Sequence, residues 1–340
     1  MDLHGKVDLD AHPVADSSVV GESVPVIDID GLDQGSAANN TVAEIAAACE
    51  TWGFFQIVGH GVPADLIQRT WSSTKAFFAA APEDKNSVRR SRDNPWGYYN
   101  NELTKNRRDK KEVFDFTVAG KDGIYGAENR WPDHDPEFRR TMLEYLDAVS
   151  AVSLRLLQAF CQGLGLPGDF LNEDFATNHS GFLRLNYYPV KDPLEGTSTA
   201  QQSEADMGVH HHTDAGALTV LLQDDIGGLQ AYHNGMWHDV PPIENAFVIN
   251  TGDMMQVWSN DKYQSPVHRV LPMKATDRFS LPFFYNPSAN TRVAPLPSLV
   301  SDETPAHFRP IDWAEFRGKR TDGDYADYGT EVQIRQYRIS

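Results

Sequence analysis

The feature that most constrains the fold is a series of short apolar runs in the second half of the chain. They recur at close spacing after residue 180, and turn-forming pairs such as Gly227-Gly228 and Asn234-Gly235 separate them. Each run has the length of one strand, and many short strands at even spacing predict an antiparallel sandwich or barrel. The predicted strands are residues 181–188, 217–223, 228–232, 236–240, 246–250, 254–258, 267–271 and 279–285.

The first half of the chain has a different pattern, in which longer amphipathic segments dominate. Apolar residues at helical spacing predict a long helix over 136–162, and Gly163 and Gly165 favour its end there. The sequence therefore predicts an α+β fold in which helices surround a mainly β core. The other expected elements are helices over 41–52, 64–78 and 312–319, and strands over 24–29 and 54–58.

Composition and charge exclude several classes of protein. The chain has 340 residues, of which 40% are hydrophobic, enough for a sizeable core. Its 48 acidic and 30 basic residues give a net charge of −18, which argues against nucleic acid and an anionic membrane surface as partners. No apolar run reaches the roughly 18 residues that span a bilayer.

Cysteine usage and the N-terminal residues predict a cytoplasmic location. Cys49 and Cys161 lie in apolar periodic segments instead of a CxxC pair, so we expect two buried thiols in a reducing compartment. The first residues lack the basic and apolar regions of a secretory signal. No feature of the sequence predicts an oligomeric state.

Two basic clusters precede the long helix. One contains Lys85, Arg89, Arg90 and Arg92, and the other extends over 105–111. Because runs of charge usually form a solvated face, we expect both clusters at the surface. The second cluster would otherwise be a candidate attractor for an anionic substrate.

The segment from His210 to Asp214 is the most informative cluster of potential metal ligands. Side chains two residues apart on an extended segment share one face, so His212 and Asp214 are predicted to point together. His268 lies in a later β-prone run and supplies a third ligand. Two histidines and one carboxylate form the facial triad that holds Fe(II) and leaves positions open for substrate and oxygen.

Arg278 and Ser280 follow ten and twelve residues after His268, again two apart on a predicted strand. A guanidinium and a hydroxyl on one face suit the distal carboxylate of a bound dicarboxylic acid. Each of these pieces alone is more often structural, and their order and spacing together carry the inference.

In these motifs the chain resembles the isopenicillin N synthase-like family of Fe(II)/2-oxoglutarate-dependent oxygenases. The resemblance extends over residues 24 to 290 and includes segments 24–28, 52–62 and 250–253. The element Asn186-Tyr187-Tyr188-Pro189 matches one in which the Asn and the second Tyr help to hold 2-oxoglutarate. Some relatives keep Arg-x-Ser without using 2-oxoglutarate, so Arg278 and Ser280 alone do not decide this point.

The resemblance implies a double-stranded β-helix (a jelly roll, cupin-like) with N-terminal and flanking helices. It further implies that His212, Asp214 and His268 hold Fe(II). Asn186, Tyr188, Arg278 and Ser280 would then bind 2-oxoglutarate. Oxygen would be the oxidant, and ascorbate would serve as the reductant in vitro. The expected reaction is hydroxylation, desaturation or oxidative ring formation on a small molecule of secondary-metabolite type.

The predicted organisation is one structural domain with five regions along the chain. We expect a flexible leader over 1–22, a helix and strand region over 23–135, and a support helix with a linker over 136–179. The double-stranded β-helix core follows over 180–290, and a C-terminal tail over 291–340 extends toward the active site.

Substrate contacts and competing functions are the least constrained predictions. Phe284, Tyr98 and Phe114 are candidates for contact with substrate, although buried aromatic residues often serve only in packing. His210 and His211 are left without an assigned role. Two alternative functions stay open: a 2-oxoglutarate-independent oxidase or cyclase of the same fold, and a non-catalytic ligand-binding β-helix protein.

Overall fold

A computed structural model describes residues 9, 12–15, 23–32, 35–104, 107–118, 126–175, 179–195, 207–325 and 332–339. Apart from residues 9 and 12–15, the predicted leader over 1–22 lies outside the described residues.

The longest helix forms where the sequence predicts it. Asp135 caps its N-terminus by accepting a hydrogen bond from the backbone N–H of Phe138, and Pro136 occupies the first turn, where a missing N–H costs nothing. Among the described helices, none is long and apolar enough to cross a membrane. The helices are α1 (Gly35–Thr51), α2 (Ala64–Ala79), α3 (Pro82–Ser87), α4 (Pro136–Gly163), α5 (Asn172–Phe175), α6 (Asp253–Trp258) and α7 (Trp313–Tyr325), with 3₁₀ turns at Pro297–Leu299 and Ile334–Tyr337.

The strands are short, and most of them lie in the second half of the chain. They are β1 (Val26–Asp28), β2 (Phe54–Val58), β3 (Gly97–Tyr99), β4 (Leu103–Thr104), β5 (Arg107–Arg108), β6 (Glu112–Thr117), β7 (Phe182–Tyr188), β8 (Val209–His212), β9 (Leu218–Gln223), β10 (Leu229–His233), β11 (Met236–Asp239), β12 (Phe247–Thr251), β13 (His268–Val270), β14 (Arg278–Tyr285), β15 (Arg292–Val293) and β16 (Ile311–Asp312).

Two sheets form the core. The large sheet has the order β1-β2-β12-β9-β14-β7-β6-β3, and the small sheet has the order β11-β10-β13-β8. A cluster of buried apolar residues joins them, with Leu221 and Val248 from the large sheet and Val209, Leu229 and Val270 from the small one. The β1–β2 pair is parallel, and the other pairs of these two sheets are antiparallel.

Alternation along each strand of the large sheet separates its two faces. On β12, Phe247 and Ile249 pack in the core beneath the helices, whereas Val248 points toward the small sheet. Contacts of α4 with α1, α2, β9 and β14 show that the helices cover that outer face. The predicted class, a mainly β core of double-stranded β-helix type with N-terminal and flanking helices, is confirmed.

One predicted strand is wrong. Residues 254–258 form helix α6, not a strand, and Met254, Met255, Val257 and Trp258 are all buried in it. An apolar run of only five residues does not distinguish the period of a strand from that of a buried helical turn. Gly252 precedes this helix and lies close to the backbone of Gly216. A Cβ added at Gly252 would lie 2.2 Å from the carbonyl oxygen of Gly216.

Candidate metal centre and active-site cavity

The structure brings His212, Asp214 and His268 together between the ends of two adjacent strands. His212 on β8 is the cross-strand partner of His268 on β13, and Asp214 follows β8 by two residues. Asp214 Oδ1 lies 3.6 Å from His212 Nε2 and 3.7 Å from His268 Nε2. The three potential ligand atoms lie within 4.8 Å of one another, which is compact enough for one metal ion.

Both histidine rings are oriented by backbone carbonyls. His212 Nδ1 donates to the carbonyl oxygen of His210 at 2.8 Å, and His268 Nδ1 donates to that of Pro266 at 3.1 Å. A carbonyl can only accept, so each neutral ring carries its proton on Nδ1 and presents the lone pair of Nε2. In metal-binding histidines, a hydrogen bond from the ring nitrogen that does not bind the metal fixes the tautomer and the ring orientation in the same way.

The carboxylate of Asp214 is held through its other oxygen. Oδ2 accepts hydrogen bonds from Thr219 Oγ1 and, at 2.8 Å, from Asn250 Nδ2. Thr219 and Asn250 both lie on the large sheet, and they are cross-strand partners. They fix Asp214 so that Oδ1 faces the histidines.

The charge state of these groups at neutral pH suits a metal cation. Burial lowers the pKa of His212 well below its ordinary value, and the proximity of His268 lowers it further. Burial alone would raise the pKa of Asp214, but His268 and His212, with the hydrogen bonds from Thr219 and Asn250, reverse this effect and lower it. His212 is therefore neutral and Asp214 is ionised, the forms that ligate metals.

The four residues predicted to bind 2-oxoglutarate form two cross-strand pairs on the large sheet. Arg278 is opposite Tyr188, and Ser280 is opposite Asn186. Asn186 Nδ2 donates to Ser280 Oγ at 3.3 Å, and the guanidinium carbon of Arg278 lies 5.0 Å from the centroid of the Tyr188 ring. Strand alternation turns all four side chains toward the small sheet, away from the helix-covered face where Phe279 and Leu281 pack.

Arg278 is a buried cation whose donors are incompletely used. The residue is fully buried, and its Nη2 donates to Gln223 Oε1 at 3.3 Å, while Nε and Nη1 lack hydrogen-bond partners. Asn186 Oδ1 is also buried and without a partner. Buried polar groups are normally satisfied, so unused donors on a guanidinium fit an anionic ligand such as a carboxylate.

A cavity opens beside the triad, and it includes His212, Asp214 and one of the three predicted substrate residues. Phe284 lies in its wall and stacks on Phe182, with ring centroids 4.7 Å apart. Tyr98 and Phe114 do not reach the cavity, so the expectation that they contact substrate is corrected. Their side chains alternate to the opposite face of the large sheet and belong to the core beneath the helices, where Tyr98 also donates to Glu112.

The expectation of two solvated basic clusters is also wrong in part. Lys85, Arg90, Arg108 and Lys111 are buried, and each forms an ion pair. Burial alone would raise the pKa of Glu102, but Arg184, Lys111 and Arg90 lower it well below its ordinary value. The pairs Lys85–Glu112 and Arg108–Asp192 span 27 and 84 residues, so local charge patterning contained no signal of the burial of these two cations.

His210 gains a role that the sequence analysis did not assign. Its backbone N–H and its ring Nδ1 both bond to Asp109 Oδ1, at 3.1 and 2.9 Å, and its carbonyl orients His212. The register against β13 shifts between the partners of Val209 and His212, which indicates a bulge in β8. Strict alternation, which would place His210 and His212 on one face, therefore fails here.

Other site residues were missed, and some of them carried a usable signal. Thr219 is a polar residue in the apolar run 217–223, and Arg184 has the same strand phase as Asn186 and Tyr188. Arg317 and Arg320 reach the cavity wall from α7. No local pattern marked these two, because the packing of a distant helix places them.

Comparisons with known proteins agree with this architecture. Residues 24–134 match the family described as non-haem dioxygenase in morphine synthesis N-terminal, and residues 179–287 match the 2OG-Fe(II) oxygenase superfamily. Protein DMR6-LIKE OXYGENASE 2 of Arabidopsis thaliana is 32% identical, over 94% of this chain and 88% of that protein.

Solved structures with the same fold include two ligand complexes. JOX2 in complex with 2OG, Fe and JA has a TM-score of 0.79 at 28% identity, over 100% of this chain and 96% of that one. A full-length Neurospora crassa protein in complex with alpha-KG and thymine has a TM-score of 0.78 at 25% identity, over 91% and 98% of the two chains. The chain therefore belongs to the 2OG-Fe(II) oxygenase superfamily and is an oxidoreductase that uses Fe(II), 2-oxoglutarate and O₂ to oxidise a small molecule.

Proposed function

We propose that His212, Asp214 and His268 ligate the Fe(II) of this oxygenase, and that Arg278 binds the distal carboxylate of 2-oxoglutarate. The observation that carries the first assignment is the convergence of two Nε2 atoms and one carboxylate oxygen within 4.8 Å. The unused donors of buried Arg278 support the second. Ser280, Asn186 and Tyr188 complete the co-substrate site beside it.

When bound, the metal and 2-oxoglutarate together supply the oxidising power for attack on the substrate. The contribution of the chain is to bind, orient and exclude water. Thr219 and Asn250 hold Asp214 in one rotamer, and two backbone carbonyls hold the histidine rings, so the ligand set is preorganised. The inter-sheet core that surrounds Arg278 keeps its charge in a low-dielectric environment, where pairing with a carboxylate is strong.

The same residues weigh against the two alternative functions. Arg278 and Ser280 alone do not exclude an oxidase or cyclase that dispenses with 2-oxoglutarate, but Tyr188 and Asn186 lie opposite them on β7, and Asn186 Oδ1 is buried without a partner. A non-catalytic ligand-binding protein has no need for hydrogen bonds that orient both histidines and the aspartate. The preorganised ligand set, and the combination of Asn186 and Tyr188 with Arg278, favour the 2-oxoglutarate-dependent oxygenase.

The roles of the residues are tested by separating metal binding from co-substrate binding. Protein with Fe(II), ascorbate and 2-oxoglutarate should release succinate, and Asp214→Ala should abolish both this release and the anaerobic binding of Co(II). Arg278→Gln should retain Co(II) binding but bind 2-oxoglutarate weakly. Unchanged turnover in Asp214→Ala would exclude the metal assignment, and oxygen uptake without consumption of 2-oxoglutarate would favour the oxidase alternative.

We also propose a cytoplasmic location and a substrate of secondary-metabolite type, oxidised by hydroxylation, desaturation or ring formation. Support for the location comes from Cys49 and Cys161, which are both free and buried. Burial raises the pKa of both thiols, which keeps them protonated and unreactive in a reducing compartment. Fractionation of cells that express the tagged chain tests this location.

A further inference from the structure

Asp109 is fully buried, and it is not among the residues that line the cavity. It lies in the turn between β5 and β6, and its Oδ1 accepts hydrogen bonds from the backbone N–H and the ring Nδ1–H of His210. We propose that Asp109 is a positioning residue for His212, because it holds the carbonyl group of His210 that orients the His212 ring. This inference rests on the proposed assignment of His212 as an iron ligand.

The carbonyl group of His210 belongs to an irregular part of β8. Val209 pairs with Val270 and His212 pairs with His268, so two residues of β8 stand against one of β13 between these pairs. Such a bulge disrupts the ladder of hydrogen bonds locally. Within the described part of the chain, β8 is also an edge strand, with β13 as its neighbour in the small sheet. Strand pairing alone therefore does not fix the backbone between Val209 and His212.

Asp109 supplies an additional restraint at two points of one residue. Its Oδ1 lies 3.1 Å from the backbone nitrogen of His210 and 2.9 Å from the ring Nδ1. One acceptor thus holds both the N–H and the side chain of His210, which restricts the rotation that would turn the carbonyl away. That carbonyl oxygen lies 2.8 Å from His212 Nδ1. A shift of His210 would therefore release the His212 ring and draw its Nε2 away from the other two ligand atoms.

Asp109 is itself anchored within the turn that carries it. Its Oδ2 accepts a hydrogen bond from Thr104 Oγ1 at 2.7 Å and lies 3.3 Å from Lys111 Nζ. The turn is also tied to the segment just before β8, because the backbone N–H of Lys110 donates to the carbonyl oxygen of Met207 at 2.9 Å. The two carboxylate oxygens therefore connect a fixed turn to the irregular part of β8.

Neutralisation of Lys111 does not account for this arrangement. Lys111 pairs with Glu102 at 2.9 Å and with Asp109 Oδ2 at 3.3 Å, so another carboxylate lies closer to it than Asp109 does. The two hydrogen bonds to His210 use the other oxygen, Oδ1. A counter-ion alone would have no need to direct this second oxygen at β8.

Anaerobic Co(II) titration of two matched variants tests this role. Asp109→Asn and Glu112→Gln each replace a buried carboxylate, paired with a lysine, by an amide of similar size. Glu112 is the control because it also accepts from Tyr98, in the core beneath the helices. An amide oxygen is a weaker acceptor than a carboxylate. We expect Asp109→Asn to raise the Kd of Co(II) by roughly 10- to 100-fold and to shift its d–d absorption bands, and Glu112→Gln to change neither.

Two replacements of His210 provide a second test that leaves Asp109 in place. The side chain of His210→Asn keeps an N–H donor for Asp109, whereas that of His210→Leu has none. His210→Leu should therefore raise the Kd of Co(II) by about 10-fold, and His210→Asn should recover most of the affinity. Urea unfolding of the metal-free proteins shows whether each variant is folded. The two His210 variants decide the question if Asp109→Asn does not fold.

The outcomes separate this inference from the function on which it rests. Absence of Co(II) binding in the wild type, or wild-type affinity in Asp214→Ala, would refute the metal site itself. With that site established, the role of Asp109 is overturned if Asp109→Asn has the Kd and absorption bands of the wild type, or if Glu112→Gln weakens binding equally. Equal affinities of His210→Leu and His210→Asn would also overturn it.

Discussion

Replacing Arg278 with Met should have opposite effects on the protein with and without 2-oxoglutarate. In the absence of ligand, Arg278 is a fully buried cation with two donor nitrogens unsatisfied. An isolated buried charge is costly to desolvate, so its replacement by an apolar side chain of similar size is expected to be neutral or stabilising. We therefore expect Arg278→Met to unfold at the wild-type temperature or above it when no 2-oxoglutarate is present.

The loss of co-substrate affinity can be estimated from the contacts available. Two charge-assisted hydrogen bonds from a guanidinium to a carboxylate contribute about 3 to 4 kcal/mol together. This corresponds to a roughly 10²- to 10³-fold increase in Kd. At a concentration 100 times the wild-type Kd, 2-oxoglutarate stabilises the wild type by about 2.7 kcal/mol, and the variant by at most about 0.4 kcal/mol.

Thermal unfolding with Mn(II) in place of iron measures this difference without turnover. At about 2.1 cal/mol/K per residue, the unfolding entropy of 340 residues is about 0.7 kcal/mol/K. The wild type should therefore gain about 4 °C in Tm on addition of 2-oxoglutarate, and Arg278→Met less than about 1 °C.

Arg269→Met is the matched control. Arg269 is also buried, but its Nε donates to Gln230 and its guanidinium lies 4.0 Å from the centroid of the Trp237 ring, on the small sheet. This variant should have a lower Tm and keep the full response to 2-oxoglutarate. A full 2-oxoglutarate response in Arg278→Met would refute the assignment of its donors to the co-substrate.

Three further predictions concern the scaffold of the site. Asn250→Leu removes the hydrogen bond to Asp214 Oδ2 and should weaken anaerobic Co(II) binding by about 10- to 100-fold; an unchanged absorption titration would contradict this. Gly252→Ala places a Cβ 2.2 Å from a backbone carbonyl oxygen and should lower the free energy of unfolding by about 1–3 kcal/mol, as measured with denaturant. Gly318→Ala is the control, because the new Cβ lies in open space and the free energy of unfolding should not fall. Burial lowers the pKa of His179 to about 4. The unfolded chain therefore binds more protons than the native one between about pH 4 and 6.5, and stability falls as pH decreases through that window. His179→Gln should reduce this slope, as measured by urea unfolding at pH 4.5 and 7, and an unchanged slope would exclude His179 as its source.

The chemistry of the site was largely predictable because its residues lie at short, regular spacings. His212 and Asp214 are two apart, as are Arg278 and Ser280. Strand alternation turns Arg278 and Ser280 to one side, whereas Asp214 follows the end of β8 and is held by hydrogen bonds to its Oδ2. The resemblance added Asn186 and Tyr188. In the structure the four residues proposed to bind 2-oxoglutarate face the small sheet, as their common strand phase requires.

The failures at Tyr98, Phe114 and Lys111 share a physical cause, which is that tertiary contacts, and not the local sequence pattern, decide where each side chain lies. The pairing of β6 with β7 decides which face of the large sheet Phe114 and its cross-strand partner Tyr98 occupy. The sequence does not specify that register. Lys111 is buried because Glu102 and Asp109 pair with it, at 2.9 and 3.3 Å. A run of charges indicates solvent only when no such partners are available.

Because the site is divided between two sheets, the apolar side chains packed between the sheets affect its geometry. Two of the proposed iron ligands, His212 and His268, belong to the small sheet, whereas Arg278 belongs to the large one. The separation between these histidines and Arg278 therefore depends on the thickness of the layer that contains Leu221 and Val248. A displacement of about 1 Å in a reacting group can cost on the order of 10²-fold in rate. The length of these apolar side chains is thus constrained as well as their hydrophobicity. Substitutions in this layer should change the reaction even when no residue proposed to contact iron or 2-oxoglutarate is altered.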